Sequence, residues 1–406
     1  MTNDRLPSPP HLPIPASLSR RGLLHAGGAA GLSLLGLAGC AQPRSDVSSQ
    51  AGGAPATLRL IGEARIPGRL QYQGTTVGGL SGIEYNPATD QYFLLPDDAS
   101  DRNPARFYTA RIPLDANGLG QPEITGMTLL RQADGSGYPS SPTGKLLDPE
   151  SIRWRAGSQT LFWSSEGNAR AGVAPSLSES RLDGRLLRHY PMPAMFDFSP
   201  TRGPRTNRGF EGMSLTPDGK TAWLALEAAM LQDGPVPTPQ MPGGPCRFTQ
   251  LDLASGKPLR QVAYIPDAIP LAPQPAGAPA DNGISEILML DQHRMLVLER
   301  AYMAGYDTAT ASSLRLYLVD TRQGSDTLDI PALQGANYQP VNKLLLANFS
   351  VFVGAGSGKR LDRLDNTEGM TWGPLLANGR RSLVFISDDN FSARQVTQLL
   401  AFEFLE

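Results

Sequence analysis

The sequence contains few residues of the types that form most hydrolytic and zinc centres. Among 406 residues there are two cysteines and four histidines, and His11 and His25 lie near the N-terminus. A histidine- or cysteine-rich zinc site and a Ser-His-Asp triad are therefore not expected. The chain also lacks Gly-x-Ser-x-Gly, Walker and dinucleotide-binding motifs, so no residue is assigned as a general acid or base.

A charge excess of one sign is also missing. The formal net charge is −2 and there is no long basic run, which argues against nucleic acid as a partner. Sustained helical periodicity is absent as well, although 331–346 is compatible with one short helix. What the chain has instead is 43 glycines and 36 prolines spread among short apolar runs. That pattern is typical of many strands joined by many turns.

The N-terminal region, residues 1–40, is predicted to be a targeting sequence. The segment 19–24 contains Arg20 and Arg21 and resembles the twin-arginine export signal. It precedes an apolar, glycine-rich stretch, 26–39, that is too short for a convincing transmembrane helix. We therefore expect export by the twin-arginine route to the periplasm or cell envelope.

The two cysteines lead to different expectations. Leu37-Ala38-Gly39-Cys40 resembles a lipobox, in which Cys40 would be lipidated and would anchor the protein to a membrane. Residues 41–57, rich in Ser, Ala, Gly and Pro, are expected to form a flexible tether, which leaves 58–406 as the folded domain. Cys246 then has no partner for an intramolecular disulfide. We expect a monomer.

One stretch in the middle of the chain predicts a β-hairpin. The run 212–215 is short and mostly apolar, Thr-Pro-Asp-Gly at 216–219 is a turn sequence, and 221–226 is strand-like again. Glu211 and Glu227 stand at the two ends. Because an antiparallel pair returns its ends to one edge of the sheet, we expect both carboxylates there together.

The same hairpin recurs five times, at intervals of roughly 60 to 85 residues. The equivalent first positions are Ser81, Glu150, Glu211, Ser285 and Glu368. This period suits the blade of an all-β fold, a β-propeller. Counting strands predicts six blades, with five or seven also compatible. Strands at 57–66 and 398–404 are expected to pair and to close one blade.

In a propeller, equivalent strand ends face one mouth, so the acidic ends should form a ring. The predicted metal ligands are Asp97, Glu150, Glu166, Glu211, Glu227, Glu299, Glu368, Asp388 and Asp389, with Asp98 and Glu286 as further candidates. Crowded carboxylates repel one another unless a cation relieves them, and oxygen ligands without His or Cys favour Ca²⁺. Arg208 and Arg300 adjoin the ring and match phosphate oxygens, so we predict that they bind substrate. Structural pairing of these acids with backbone amides is the alternative.

Four ordered motifs resemble the bacterial phytase-like domain family, which is also named for esterase-like activity of phytase. They are Asn-Arg-Gly-Phe-Glu-Gly-Met at 207–213, Leu-Val-Leu-Glu-Arg-Ala-Tyr at 296–302, Asn-Thr-Glu-Gly-Met-Thr-Trp-Gly at 366–373, and the segment 387–402, which begins Ser-Asp-Asp-Asn-Phe. The resemblance implies a β-propeller related to calcium-dependent phytases, with phosphoester hydrolysis as its activity. The site positions it implies are Arg208, Glu211, Glu299, Arg300, Glu368, Asp388 and Asp389. The serines at the first positions of two repeats depart from the glutamates of the other three.

Three functions remain open at this stage. The first is hydrolysis of a small phosphorylated substrate with bound calcium. The second is a non-enzymatic propeller that binds a ligand or envelope partner at the same mouth. The third is a calcium-dependent, lactonase-like carboxylic esterase, which shares the metal but has no use for phosphate-binding arginines.

Overall fold

The computed structural model describes residues 57–139, 147–169, 172–354 and 360–405. The strands are β1 (Leu58–Ile66), β2 (Gln71–Tyr72), β3 (Thr75–Thr76), β4 (Leu80–Asn86), β5 (Gln91–Pro96), β6 (Arg106–Arg111), β7 (Leu114–Asp115), β8 (Gly118–Leu119), β9 (Glu123–Leu129), β10 (Pro149–Arg155), β11 (Thr160–Ser165), β12 (Ser176–Arg181), β13 (Leu186–Tyr190), β14 (Phe210–Leu215), β15 (Thr221–Leu226), β16 (Cys246–Asp252), β17 (Pro258–Tyr264), β18 (Ala280–Met289), β19 (Arg294–Met303), β20 (Ser312–Asp320), β21 (Lys343–Asn348), β22 (Asn366–Leu375), β23 (Arg381–Asp388) and β24 (Thr397–Phe404). Two 3₁₀ helices, Ala194–Phe196 and Phe349–Phe352, are the helical elements of these residues. No described helix is long and apolar enough to cross a bilayer.

Five four-stranded antiparallel sheets form the blades of a β-propeller. Blade 1 is β4-β5-β6-β9, blade 2 is β10 to β13, blade 3 is β14 to β17, blade 4 is β18 to β21, and blade 5 is β22-β23-β24-β1. The first strand of each blade packs against the first strand of the next, and β22 packs against β4, so the inner strands form a closed ring. The predicted fold class is confirmed, and the blade count is five, which the sequence allowed, rather than the favoured six.

The ring is closed by the first long strand of the described chain. β1 pairs with β24 along its whole length, from Leu58 opposite Phe404 to Ile66 opposite Thr397. The predicted pairing of the first and last strands is therefore confirmed. The short helix expected at 331–346 is wrong, because that range holds no helix and its end belongs to β21. The predicted targeting sequence, Cys40 and nearly all of the predicted tether lie outside the described residues.

The core of the propeller lies between its blades. Each of the five large hydrophobic clusters is shared by two neighbouring sheets, as expected when both faces of a blade are covered. Between blades 4 and 5, for example, the ring of Phe349 packs edge-on against Phe385 and Phe402, with centroids 5.1 Å apart in each pair. Cys246 is buried in the cluster between blades 3 and 4.

One buried ion pair lies where all five inner strands meet. Nη2 of Arg153, from blade 2, lies 2.7 Å from Oε2 of Glu286, from blade 4. The guanidinium also donates to the carbonyls of Ile83 in blade 1 and Met370 in blade 5. Oε1 of Glu286 accepts from the amide of Met213 in blade 3. We call this pair the central plug.

Candidate functional site: an acidic cavity

Every inner strand has a β-bulge near its start. The register of each pair slips by one residue there, as between Leu80 and Gly82 in blade 1 and between Phe210 and Gly212 in blade 3. The slips include the five repeat positions, Ser81, Glu150, Glu211, Ser285 and Glu368. A bulge re-aims a side chain relative to a regular strand. The glutamates at these positions in blades 2, 3 and 5 line a common cavity.

Glycine follows the bulged residue in three blades and lets the next blade approach. A Cβ at Gly212 would lie 2.8 Å from the amide nitrogen of Ile287 in blade 4. A Cβ at Gly369 would lie 2.6 Å from the carbonyl oxygen of Ser81 in blade 1. Real Cβ atoms do not approach backbone atoms this closely, so the recurring Glu-Gly pair combines a cavity side chain with a close contact between blades.

The cavity has a volume of about 800 Å³, and acidic residues are the most numerous type in its lining. We call it the acidic cavity. Its carboxylates are Asp97, Asp98, Asp101, Asp148, Glu150, Glu166, Glu211, Glu227, Asp281, Asp365, Glu368 and Asp388, and its arginines are Arg102, Arg208, Arg300, Arg363 and Arg394. Carboxylates outnumber guanidinium groups, so the cavity attracts cations.

Six of the carboxylates form two compact groups. The first group is Asp97, Glu368 and Asp388, from blades 1 and 5, and the second is Asp148, Glu150 and Glu166, from blade 2 and the residue before it. In each group one oxygen from every residue lies within 4.8 Å of the others. Oxygen-only donors at such spacing fit a hard divalent cation, and no His or Cys lines the cavity. The residues present therefore fit calcium.

Burial and mutual repulsion raise the pKa values of these carboxyl groups. Burial raises the pKa of Asp97 well above its usual range, and the nearby Glu368 adds to the effect. Burial is also the main cause that raises the pKa of Glu150 well above its usual range, and the charge of Glu211 is the next. Burial also raises the pKa of Glu166 and of Glu227 to about 7. Without a cation, the cavity favours protonated carboxyl groups.

Both arginines predicted to bind substrate reach the acidic cavity. Nη1 of Arg208 donates to Glu227 at 2.8 Å and Nη2 donates to Asp281 at 2.9 Å, so this guanidinium is held firmly. Arg300 is held more loosely, since its Nη2 lies 3.4 Å from Glu368 and 3.7 Å from Glu227. Its Nε is buried and has no hydrogen-bond partner among the described residues. Arg300 therefore has donor capacity to spare.

Two predicted ligands do not join the others. Glu299 lies outside the cavity, where its carboxylate accepts hydrogen bonds from Tyr264 at 2.6 Å and Asn282 at 2.8 Å and pairs with Lys343 at 2.6 Å. Asp389 accepts the amide N–H groups of Gly79 and Phe391 at 2.9 Å each. Both match the structural alternative, and we leave them out of the site.

The two further candidates also serve the fold. Glu286 belongs to the central plug, and Asp98 lines the cavity but pairs with the buried Arg106 at 2.7 Å. Sequence reasoning missed Asp148 and Asp281, which line the cavity. Each lies within a few residues of a repeat motif that was recognised, but outside the recurring acidic positions. Closeness to the motif was therefore the signal that could have identified them. Arg102, Arg363 and Arg394 lie on loops without a recognisable pattern.

This fold and cavity define a class: a β-propeller whose inner-strand bulges supply acidic side chains to one mouth. A family model described as phytase-like, esterase-like activity of phytase, matches residues 75–391. The chain belongs to this phytase-like family. The resemblance to this family that the four sequence motifs predicted is therefore confirmed. None of the curated proteins compared with the chain matches it.

Several solved structures are similar to the chain at low identity. Hydrazine synthase of Kuenenia stuttgartiensis is 13% identical over 79% of this chain and 80% of its own, with a TM-score of 0.37. The Dos1 propeller is 6% identical over 81% and 69%, with a TM-score of 0.34. The periplasmic gluconolactonase PpgL of Pseudomonas aeruginosa is 15% identical over 82% and 90%, also at 0.34. No functional argument follows from scores this low.

Proposed function

We propose that the protein hydrolyses phosphate esters in the acidic cavity with bound Ca²⁺. The observation that carries the proposal is the pairing of two three-carboxylate groups with arginines in one cavity. Carboxylates alone would repel a phosphorylated substrate. A site that bound phosphate through arginines alone would have no need of so many acidic residues. The combination suits a cation and an anion bound side by side.

The two carboxylate groups would hold the metal. Asp97, Glu368 and Asp388 offer one oxygen-only site, and the blade 2 group offers another. Bound calcium would neutralise the crowded carboxylates and polarise a phosphoryl oxygen of the substrate. Membership of the phytase-like family supports the same chemistry.

The chain's own residues then bind and orient the substrate. Arg300 has an unpartnered Nε and only long contacts to carboxylates, so it is suited to donate to a phosphate oxygen. Arg208, fixed by two carboxylates, holds Glu227 in place. Glu227 lines the same cavity, and with the neighbouring carboxylates neutralised by calcium its own carboxylate would be placed to accept a proton from water.

Activity assays with and without a chelator test the proposal. The purified protein is given a phosphomonoester, a phosphodiester and a carboxylic ester, with EGTA and then with excess Ca²⁺. We expect turnover of phosphate substrates alone, abolished by EGTA and restored by Ca²⁺. Asp97→Asn is expected to weaken calcium binding measured by calorimetry, whereas Asp329→Asn, at an exposed loop position, is the matched control.

The other outcomes each contradict the proposal in a different way. Turnover of the carboxylic ester alone identifies the lactonase-like alternative. Calcium binding without turnover of any ester identifies a binding propeller. Phosphate hydrolysis that survives complete removal of the metal contradicts the role assigned to the carboxylate groups.

A further inference from the structure

The described part of the chain begins on the face of the propeller opposite the acidic cavity. Inner strand β22 begins at the cavity with Asn366 and ends on the opposite face with Leu375, which pairs with Arg381 at the start of β23. The end of β24 returns to that face, and Leu58 pairs there with Phe404. The chain therefore enters the domain on the side away from the acidic cavity. We call this side the tether face.

Exposed leucines lie at this point of entry. Leu375 is 68% exposed at the end of β22, and Leu344 and Leu345, in outer strand β21 of blade 4, are 62% and 43% exposed. The hydroxyl of Thr57 donates to the carbonyl of Leu346 at 2.6 Å. Thr57, the first described residue, thus lies beside the strand that carries two of the three leucines.

Arginines accompany these leucines. Arg59 and Arg380 have about half of their side chains exposed and share Glu403 as a partner. The guanidinium of Arg381 lies 4.1 Å from the ring of Trp372, at the rim of a second cleft on this face. Three arginines and one glutamate leave an excess of positive charge beside apolar side chains, a combination that suits anionic lipid headgroups above acyl chains.

We propose that the tether face rests on a lipid surface, with the acidic cavity opening away from it. A lipid on Cys40, separated from Leu58 by the seventeen residues 41–57, would keep this face within about 60 Å of the bilayer even with those residues fully extended. Exposed leucines and arginines at the point of attachment supply the second contact that a stable membrane orientation needs. The cavity then faces dissolved substrates rather than the negatively charged membrane.

Site-specific labelling tests the orientation. The full chain is extracted from membranes and reconstituted into vesicles of phosphatidylethanolamine and phosphatidylglycerol. Leu375→Cys and Leu344→Cys carry an environment-sensitive fluorophore, and the buried Cys246 is not expected to react. Met241→Cys is the matched control, since Met241 is 64% exposed in the loop from β15 to β16 on the cavity side.

We expect quenching by lipid-borne nitroxides to be several-fold stronger at positions 375 and 344 than at position 241. Equal quenching at all three positions, or stronger quenching at 241, overturns the proposal. Recovery of the chain in the soluble fraction overturns it as well. Thermal unfolding of the three labelled proteins checks that each retains the fold, and neither readout depends on catalysis.

Discussion

Arg300 is one of two cavity arginines, with Arg363, whose buried Nε has no hydrogen-bond partner among the described residues, and its substitution tests substrate binding. A charge-assisted hydrogen bond contributes about 1.5–3 kcal/mol. We therefore expect Arg300→Gln to lower kcat/KM for a phosphomonoester by about tenfold to a hundredfold, mainly by raising KM. Steady-state kinetics at saturating Ca²⁺ measures this effect.

The control for Arg300 is another arginine outside the cavity. Arg202 is exposed and donates to the carbonyl of Pro331 at 2.8 Å, so Arg202→Gln should leave both kinetic parameters unchanged. Equal losses in the two variants would show that the effect of Arg300→Gln is a general effect of lost positive charge.

The sequence predicted individual carboxylates near strand ends. It did not distinguish those that line the cavity from those that are buried in structural contacts. The sequence predicted Glu211 and Glu299 at strand ends of the repeat, yet Glu299 lies in the middle of β19 and only Glu211 lines the cavity. Glu299 pairs in register with Ile284 and is captured by Lys343, a residue far along the chain. Such long-range pairing cannot be read from local spacing, which is also why Asp281 was missed.

At the level of secondary structure, the β-bulges and glycines of the inner strands form the cavity. Gly369→Ala places a methyl group against the backbone of blade 1, and overpacking of this kind costs about 1–3 kcal/mol. We expect the free energy of unfolding in urea to fall by that amount. Gly157→Ala, with no atom within 4 Å of the new Cβ, is the control. Similar losses in both variants would contradict the role of close blade contact.

The central plug permits a double-mutant cycle. Breaking a buried ion pair from one side costs about 3–5 kcal/mol because the other charge is left uncompensated. We expect Arg153→Met and Glu286→Gln each to destabilise the protein by about this amount, and the double variant by clearly less than their sum. Urea unfolding of the four proteins gives the coupling. Additive losses would mean that the two side chains act independently.

The inner hairpins and the closing strand β1 were predictable, whereas the outermost strands β9, β13 and β21 were not. β14, β15 and their equivalents are short apolar runs around turn sequences, so the hairpins were recognised. The fourth strands β9, β13 and β21 are partly exposed and polar, and their sequences carry little alternation. The loop without a strand pattern at 233–245 was recognised from sequence, and the long segment 321–342 also holds no strand, so five blades account for the described strands.

For the molecule as a whole, crowded carboxyl groups link stability to pH and to calcium. Burial raises the folded-state pKa of Glu166 and of Glu227 from the ordinary value of 4.5 to about 7. Their contribution to stability is therefore complete below about pH 4.5 and is lost as the pH rises through 7. We expect the Tm of the metal-free protein to fall over this range, and added Ca²⁺ to raise it again.

Calorimetry in EGTA at a series of pH values measures this profile. A Glu166→Gln and Glu227→Gln double variant should show a flatter dependence on pH, since neither amide titrates. A parent protein whose Tm stays constant between pH 5 and pH 8 in EGTA, and does not rise when Ca²⁺ is added, would contradict the assignment of buried, mutually repelling acids to the cavity.

Closure of blade 5 by β1 also affects how the protein is made. This blade draws its outermost strand from residues 58–66 and its third strand from residues 397–404. Until residues 397–404 have been translated and released, β1 lacks its partner strand and the ring stays open. A nonsense mutation upstream of Thr397 would leave β1 and β23 with unpaired edges, and those edges invite pairing with other chains. Completion of the propeller during biosynthesis thus depends on the translation of β24.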